Sequence, residues 1–196
     1  MNQSKYTTAI MAGGKSSRMG ADKAFVPLLG KPMIEHVLES VSGMGDEQII
    51  ITNTPQDFGY LGLPLYGDIF ENHGPLGGFH AALTHATHDH LLVVACDMPW
   101  LNRPLLDYMV SIRTTADAIV PRWTKFPEPL HAVYSKVCLE PVTASLRAQT
   151  LKLIAFYGRV SVRYLDRDEL SRFDASGRSF ANINTPDDLI EAGNKK

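Results

Sequence analysis

The sequence has little cysteine and no long apolar run. Its two cysteines, Cys96 and Cys138, are too few for a disulfide framework, so we expect reduced thiols in the protein interior. The first residues contain no apolar stretch of signal-peptide length, and no later run approaches the ~20 apolar residues of a membrane-spanning helix. We therefore expect a soluble, cytoplasmic protein that does not bind membranes.

An excess of positive charge is also missing, because the formal net charge of the 196 residues is -2. Proteins that bind nucleic acid without sequence preference use a surplus of lysine and arginine against the phosphate backbone. The charge balance therefore argues against a nucleic-acid partner. It leaves open a local basic pocket for a small phosphorylated ligand.

Repeats, low-complexity tracts and long linkers are absent as well, so we predict a single domain over residues 1–196. Short apolar runs alternate with segments of helical period, which is typical of an α/β protein with a mostly parallel sheet. We predict a three-layer, doubly wound fold. The predicted strands are residues 7–11, 48–52, 91–96, 118–121, 130–134 and 160–165. Helices are expected to begin at Pro32, Pro75 and Pro104, to occupy parts of 135–156, and to begin again at Thr185 and Pro186.

The loop after the first strand reads MAGGKSSRMGADK and contains a fragment, GGKSS, that is similar to the end of a P-loop. A P-loop with Lys15 as its lysine needs a glycine at position 9, where the chain has Ala9 inside the predicted strand. The dinucleotide-binding pattern G-x-G-x-x-G is not matched either. Both common phosphate-binding motifs are therefore excluded.

The same loop nevertheless has the chemistry of a phosphate site. Gly13 and Gly14 allow backbone N–H groups to approach an anion closely. Arg18 and Lys23 add a forked and a compact cation that suit phosphate oxygens. A glycine turn with solvated charges is the simpler alternative, but the added cations favour phosphate binding.

Asp97 directly follows the most apolar predicted strand, residues 91–96. In open α/β sheets, ligands gather beyond the carboxyl ends of the strands, where the glycine loop also lies. A carboxylate at that edge is suited to Mg²⁺, which prefers oxygen ligands. An aspartate that only caps a turn remains the alternative from position alone.

The run from Met11 to Lys23, with Ala12, Gly13, Gly14, Arg18, Met19, Gly20 and Asp22, resembles the signature loop of the molybdenum cofactor nucleotidyltransferases. The resemblance is greatest to the guanylyltransferases, which join GMP to molybdopterin. It implies a Rossmann-like nucleotidyltransferase fold in which this loop wraps a triphosphate and Lys23 contacts it. It also implies that Asp97, in a segment similar to the family's CD-x-P, binds the catalytic magnesium.

Two further segments extend the resemblance along the chain. Asp68 and the run from Gly74 to Gly78 resemble the family's nucleotide-contacting aspartate and its G-P-L-[AG]-G motif. By the same resemblance, Asn53 corresponds to a base-contacting asparagine of the family. The alternation of Thr52, Asn53 and Thr54 leaves this alignment uncertain by one residue. Glycines that pack a helix against the sheet explain part of this pattern equally well.

The segment Asn182-Ile183-Asn184-Thr185-Pro186 resembles the family's N-x-N-T-P, which lies on the side that receives the pterin. Thr185 and Pro186 also fit an ordinary helix start. The related cytidylyltransferases have D-x-D-T-P at this position and more often A-A-G in the first loop. Asn182, Asn184 and the Gly13-Gly14 pair therefore point to guanine.

Taken with the resemblance, these residues imply transfer of GMP from GTP to the terminal phosphate of molybdopterin, with release of pyrophosphate. Asp97, Lys23 and Arg18 are the predicted catalytic residues. A CTP-dependent or sugar-phosphate nucleotidyltransferase of the same fold is the nearer alternative, and a non-catalytic nucleotide-binding delivery protein is the other. The resemblance also implies a receiving molybdoenzyme or its chaperone as a partner, and we expect a monomer or weak oligomer.

His85, His88 and His90 crowd into six residues, a density that raises the question of a metal site. They fall at the end of a predicted helix, where histidine suits the carbonyl dipole. We predict a solvated helix terminus.

Overall fold

A seven-stranded sheet forms the centre of the molecule. The computed structural model describes residues 5–13, 22–185 and 187–190. The sheet strands are β1 (Thr7–Met11), β4 (Glu47–Ile51), β5 (Leu65–Tyr66), β6 (His90–Ala95), β7 (Ala118–Arg122), β8 (His131–Ser135) and β9 (Val162–Asp166). A separate hairpin consists of β2 (Pro27–Leu28) and β3 (Lys31–Pro32).

The strand order in the sheet is β5-β4-β1-β6-β8-β7-β9. Six of these strands point in one direction, and only β8 is antiparallel to both of its neighbours. The connection from β7 to β8 spans only residues 123–130, which is too short for the crossover that a parallel pair requires. The mostly parallel, doubly wound sheet predicted from the alternation is confirmed.

Helices cover both faces of the sheet. They are α1 (Met33–Ser40), α2 (Pro55–Phe58), α3 (Gly74–His85), α4 (Arg103–Ser111), α5 (Leu139–Arg147) and α6 (Arg167–Leu170), with a further helical turn over residues 187–190. Within the described ranges, no helix has the length and apolar character needed to cross a bilayer.

The alternation of side chains along each buried strand produces two apolar layers. In β1, Ile10 packs into the layer under α1 and α4, whereas Ala9 and Met11 pack into the layer under α3 and α5. Strand β6 contributes to both layers and is buried from Leu91 to Ala95. Burial on both faces explains why the run from Leu91 to Ala95 is apolar throughout rather than alternating.

Most of the predicted element boundaries need small corrections. Strands β4 and β6 each begin one residue earlier than predicted, so Thr52 and Cys96 follow their strands, and β9 spans Val162–Asp166 rather than 160–165. Helices α3 and α4 begin one residue before their prolines. Helix α1 begins one residue after Pro32, which belongs to β3. Proline fits the first turn and its approach, so its position fixes a helix start only to within a residue.

A loop after α6 is shaped by Gly177, which has a φ of +69°. A Cβ added at this position would overlap the indole ring of Trp123, which follows β7. Substitution by alanine therefore has two costs: a side chain at a left-handed backbone position, and displacement of the Trp123 ring.

We expect Gly177→Ala to lower the free energy of unfolding by about 3 kcal/mol and the Tm by roughly 6–12 °C. Thermal unfolding followed by circular dichroism measures the effect. The matched control is Gly158→Ala, because an added Cβ there meets no atom within 4 Å and the backbone has no positive φ. Equal Tm values for the two variants would contradict the packing described.

Candidate active site

A cleft of about 870 Å³ lies beyond the carboxyl ends of β4, β1 and β6. These strands are neighbours in the sheet, and the chain runs to opposite sides of β1, so the cleft occupies the topological switch point of the fold. Backbone bonds beyond the strand ends hold the rim together: Ala12 N–H donates to Ile51 O at 2.9 Å, and Cys96 N–H donates to Met11 O at 3.0 Å. The rim is therefore an extension of the rigid sheet.

Ten of the residues singled out from the sequence line this cleft. They are Met11, Ala12, Gly13, Lys23, Asn53, Asp68, Gly74, Gly78, Asp97 and Asn184. Asn182 is exposed and is not among the lining residues. Gly14 and Arg18 lie outside the described residues, so their predicted roles stay predictions.

Lys23, Asp97 and Asn184 meet at one side of the cleft. The Lys23 ammonium lies 3.5 Å from Asp97 Oδ2 and donates a hydrogen bond to Asn184 Oδ1. The Lys23 and Asp97 side chains are 20% and 24% exposed, respectively. Three segments far apart in the sequence thus bring a cation, a carboxylate and an amide together.

The environment of Asp97 disfavours its charged form. Burial raises the pKa of this carboxyl above its ordinary value, although the attraction and hydrogen bond of Lys23 act in the opposite direction. A carboxylate in a partly dehydrated cleft, with Lys23 as its ion-pair partner among the described residues, retains capacity for a second positive partner. This is the electrostatic situation expected of a cation ligand.

The segment with Asn184 is docked against the same residue. Ile183 N–H donates to the backbone oxygen of Asp97 at 2.9 Å, and the Ile183 side chain is buried with Leu28 and Met33. The backbone on the carboxyl side of β6 and the segment before the last helical turn therefore form one unit.

On the opposite side of the cleft, Asn53 supports Asp68. Asn53 Oδ1 accepts a hydrogen bond from the backbone N–H of Asp68 at 2.8 Å, and the predicted contact of Asn53 with the base stays a prediction. A Cβ added to Gly78 would lie 3.3 Å from Asp68 Oδ1 and 3.1 Å from Met11 Cε. Glycine at position 78 therefore lets the Asp68 carboxylate lie against α3, and it also lets α3 pack on the sheet.

Comparison with known proteins agrees with this geometry. The model of the MobA-like NTP transferase domain matches residues 8–160. The chain belongs to this family. The family resemblance predicted from the loop and strand-end motifs is thus confirmed, and the protein is a nucleotidyltransferase.

The relatives of this MobA-like NTP transferase carry more specific names. A probable molybdenum cofactor guanylyltransferase from Pelotomaculum thermopropionicum is 39% identical over 95% of this chain and 91% of that protein. A molybdenum cofactor guanylyltransferase from Desulfosudis oleivorans is 36% identical over 95% of this chain and 93% of that protein. The crystal structure of molybdopterin-guanine dinucleotide biosynthesis protein A from Archaeoglobus fulgidus is 30% identical, covers 95% and 96% of the two chains, and superposes with a TM-score of 0.83.

Several residues that line the cleft of this MobA-like NTP transferase were not predicted as site residues, among them Asn72, Leu130 and Cys96. Asn72, with a φ of +60°, and Leu130 both reach the cleft from loops. Cys96 lines it as well and is partly exposed, rather than sitting inside a buried strand as predicted. Burial still raises the pKa of the Cys96 thiol, so this cysteine is held in its neutral form. Asparagine tolerates the left-handed conformation better than most residues, which is a weak signal for Asn72, and nothing in the sequence marks Leu130.

The three clustered histidines do not form a metal site. His85 is the last residue of α3 and stacks on Tyr66 with a ring separation of 4.0 Å, whereas His90 begins β6. The prediction of a single solvated helix terminus is therefore wrong for His90, which is partly buried in the sheet. Across the described residues, no three His, Cys, Asp or Glu side chains are arranged to hold a metal ion.

Proposed function

We propose that the chain transfers GMP from GTP to the terminal phosphate of molybdopterin. The observation that carries this proposal is the junction of Lys23, Asp97 and Asn184 at the switch-point cleft. A cation for phosphate oxygens, a carboxylate for a metal and an amide for a polar acceptor are the groups that nucleotidyl transfer needs. The names of the relatives support guanine as the base and molybdopterin as the acceptor.

In the proposed reaction, an oxygen of the acceptor phosphate forms a bond to the α-phosphorus of GTP, and the bond from that phosphorus to the α–β bridging oxygen breaks. Pyrophosphate leaves with the electron pair. The nucleophile is already an anion, so no general base is required. The protein contributes positioning and charge neutralisation, with Lys23 and, by resemblance, Arg18 acting on the departing pyrophosphate.

Asp97 fits a magnesium ligand by the chemistry of its surroundings. It presents a hard oxygen donor in the cleft, and burial raises its pKa although the charge and hydrogen bond of Lys23 act in the opposite direction. Magnesium takes few protein carboxylates and completes its shell with water and substrate phosphates, so one aspartate is sufficient. Bound there, Mg²⁺ would neutralise charge on the triphosphate oxygens.

We assign the recognition of the base to Asp68 and Asn53. A carboxylate only accepts hydrogen bonds, and guanine presents two adjacent donors, N1–H and N2–H, on one edge. Asn53 Oδ1 is already used by the Asp68 N–H, which turns the Asn53 Nδ2 donor toward other partners and makes it suitable for guanine O6. Cytosine and adenine lack this pattern of two donors beside an acceptor.

We expect Asp68→Asn to reduce the preference for GTP over CTP and ATP by about 5- to 150-fold, because an amide replaces one of the two acceptor oxygens with a donor. Competition binding with the three nucleotides measures the ratio. The matched control is Glu71→Gln, an exposed carboxylate in the same loop. Unchanged selectivity in Asp68→Asn would rule out Asp68 as the base-reading residue.

The acceptor side is assigned to Asn182 and Asn184. Asn184 lines the cleft beside Lys23, and both amides can donate and accept hydrogen bonds, as a pterin or its phosphate requires. A molybdoenzyme or its chaperone would receive the finished dinucleotide from this side.

Thermal unfolding with each of the four nucleoside triphosphates and Mg²⁺ tests the donor assignment. A ligand that binds only the folded state raises its apparent stability, so GTP is expected to give the largest increase in Tm. A larger increase with CTP would favour the cytidylyltransferase alternative, and no increase with any nucleotide would contradict the proposal.

A further inference from the structure

The carboxylate of Asp188 is bonded to the backbone of the acceptor segment. Asp188 Oδ2 accepts hydrogen bonds from the N–H groups of Asn184 and Thr185, both at 2.8 Å. These bonds lower the pKa of Asp188, and the positive charge of Lys23 adds to the effect. One carboxylate oxygen therefore restrains two consecutive residues just before the last helical turn.

The restrained backbone carries a side chain that holds the Lys23 ammonium. Asn184 Oδ1 accepts the hydrogen bond from Lys23 Nζ, which lies 3.5 Å from Asp97 Oδ2. Contacts therefore run without interruption from Asp188 through Asn184 to Lys23. Ile183 N–H, bonded to Asp97 O at 2.9 Å, fixes the preceding residue from the other side.

We propose that Asp188 is a positioning residue for nucleotidyl transfer, which fixes the backbone of Asn184 so that the amide of Asn184 holds Lys23 at the phosphate side of the cleft. The proposal rests on the function proposed above for Lys23. Without the two N–H bonds, the backbone at residues 184 and 185 gains rotational freedom and the acceptor for Lys23 is no longer fixed. A displacement of about 1 Å in a reacting group can cost about 100-fold in rate.

A purely structural role for Asp188 is the competing explanation. Thr185 Oγ1 accepts a hydrogen bond from Asp188 N–H at 3.2 Å, so the pair also caps the helical turn over residues 187–190. The two roles separate by mutation. Thr185→Ala removes this capping bond but leaves the bonds from Asn184 and Thr185 N–H to Asp188.

The test measures kcat/KM for GTP at saturating molybdopterin, together with Tm, in a set of single variants. Asp188→Ala is expected to lower kcat/KM by about 10- to 100-fold. Asp188→Asn keeps an acceptor oxygen and is expected to stay within about threefold of the unmodified protein. Asp188→Glu keeps the charge but moves the carboxylate oxygens by one methylene, and it is expected to lower kcat/KM by about 3- to 10-fold. This variant replaces Asp188→Ala in the test if the alanine variant does not fold.

Two controls remove capping and charge as explanations. Thr185→Ala is expected to lower Tm with kcat/KM within about twofold. Asp187→Ala removes the same charge from the exposed neighbouring position and is expected to leave kcat/KM unchanged. If Asp188→Ala and Asp188→Glu lower Tm but leave kcat/KM intact, the positioning role is overturned.

A double-mutant cycle with Lys23→Ala decides whether Asp188 acts through Lys23. The combined variant is expected to be no slower than Lys23→Ala alone, because the group that Asp188 positions is already absent. Additive losses would overturn the proposal. If Lys23→Ala lowers kcat/KM and Asp188→Ala does not, only the positioning role of Asp188 fails. If Lys23→Ala leaves kcat/KM unchanged, the proposed function and the positioning role fail together.

Discussion

Replacing Asp97 with asparagine is expected to reduce the rate of GMP transfer by about a thousandfold or more. The reason is that the cleft loses the carboxylate that pairs with Lys23, and with it the proposed ligand for the metal that would neutralise triphosphate charge. Pyrophosphate release at saturating GTP, Mg²⁺ and molybdopterin measures the loss. Wild-type turnover in Asp97→Asn would contradict the assignment of Asp97.

The same variant is expected to remain folded, with a Tm equal to or above that of the unmodified protein. Burial raises the pKa of Asp97 in the folded state above its unfolded value, so at neutral pH the ionised carboxylate opposes folding. A neutral amide of the same shape removes that penalty. Asp168→Asn, at an exposed position of α6, is the control for loss of one negative charge. A large fall in Tm for Asp97→Asn alone would show that Asp97 is structural.

Replacing Lys23 with alanine is expected to weaken the affinity for Mg²⁺-GTP by about 100-fold. The Lys23 ammonium contacts Asp97 and Asn184 in the cleft, and the Lys23 side chain is only 20% exposed. A charge-assisted hydrogen bond to phosphate in such a partly dehydrated site is worth about 1.5–3 kcal/mol, and the cation also attracts the triphosphate over a longer range. Isothermal titration calorimetry measures the affinity directly.

Two further variants test whether the loss of affinity is specific to the Lys23 ammonium. Lys31→Ala removes a partly exposed lysine that pairs with Glu39, and it is expected to leave the affinity within about twofold. Lys23→Arg keeps the charge, but the planar guanidinium does not reproduce a compact ammonium held by Asp97 and Asn184, so poor rescue is expected. Unchanged affinity in Lys23→Ala would remove the proposed triphosphate contact.

The architecture was predictable from the sequence because its strands are buried on both faces. Strands β1 and β6 are short, mostly apolar runs that end two residues before Gly13 and Asp97, and the alternation with helical segments indicated a parallel sheet. The two-residue strand β5 and the hairpin of β2 and β3 had no usable signal, since two residues establish no period. The antiparallel direction of β8 was not predicted, although the short connection between β7 and β8, which requires it, can be read from the sequence.

The candidate site was predictable as a set of residues but not as a set of contacts. Gly13, Asp68 and Asp97 follow strand ends or precede helices, where an open α/β sheet gathers its ligands. The bond between Lys23 and Asn184 joins residues 161 positions apart, and no local pattern reports such a pair. Likewise, Asp188 occupied an ordinary capping position, and only the structure shows that its carboxylate also holds the backbone of Asn184.

The most direct measurement incubates the protein with molybdopterin, Mg²⁺ and GTP labelled at the α-phosphorus, and separates the products. We expect the label to move onto the pterin and pyrophosphate to be released in equal amount, with both products lost in Asp97→Asn. Release of inorganic phosphate with the label left in GDP would mean cleavage at the γ-phosphate and would contradict guanylyl transfer.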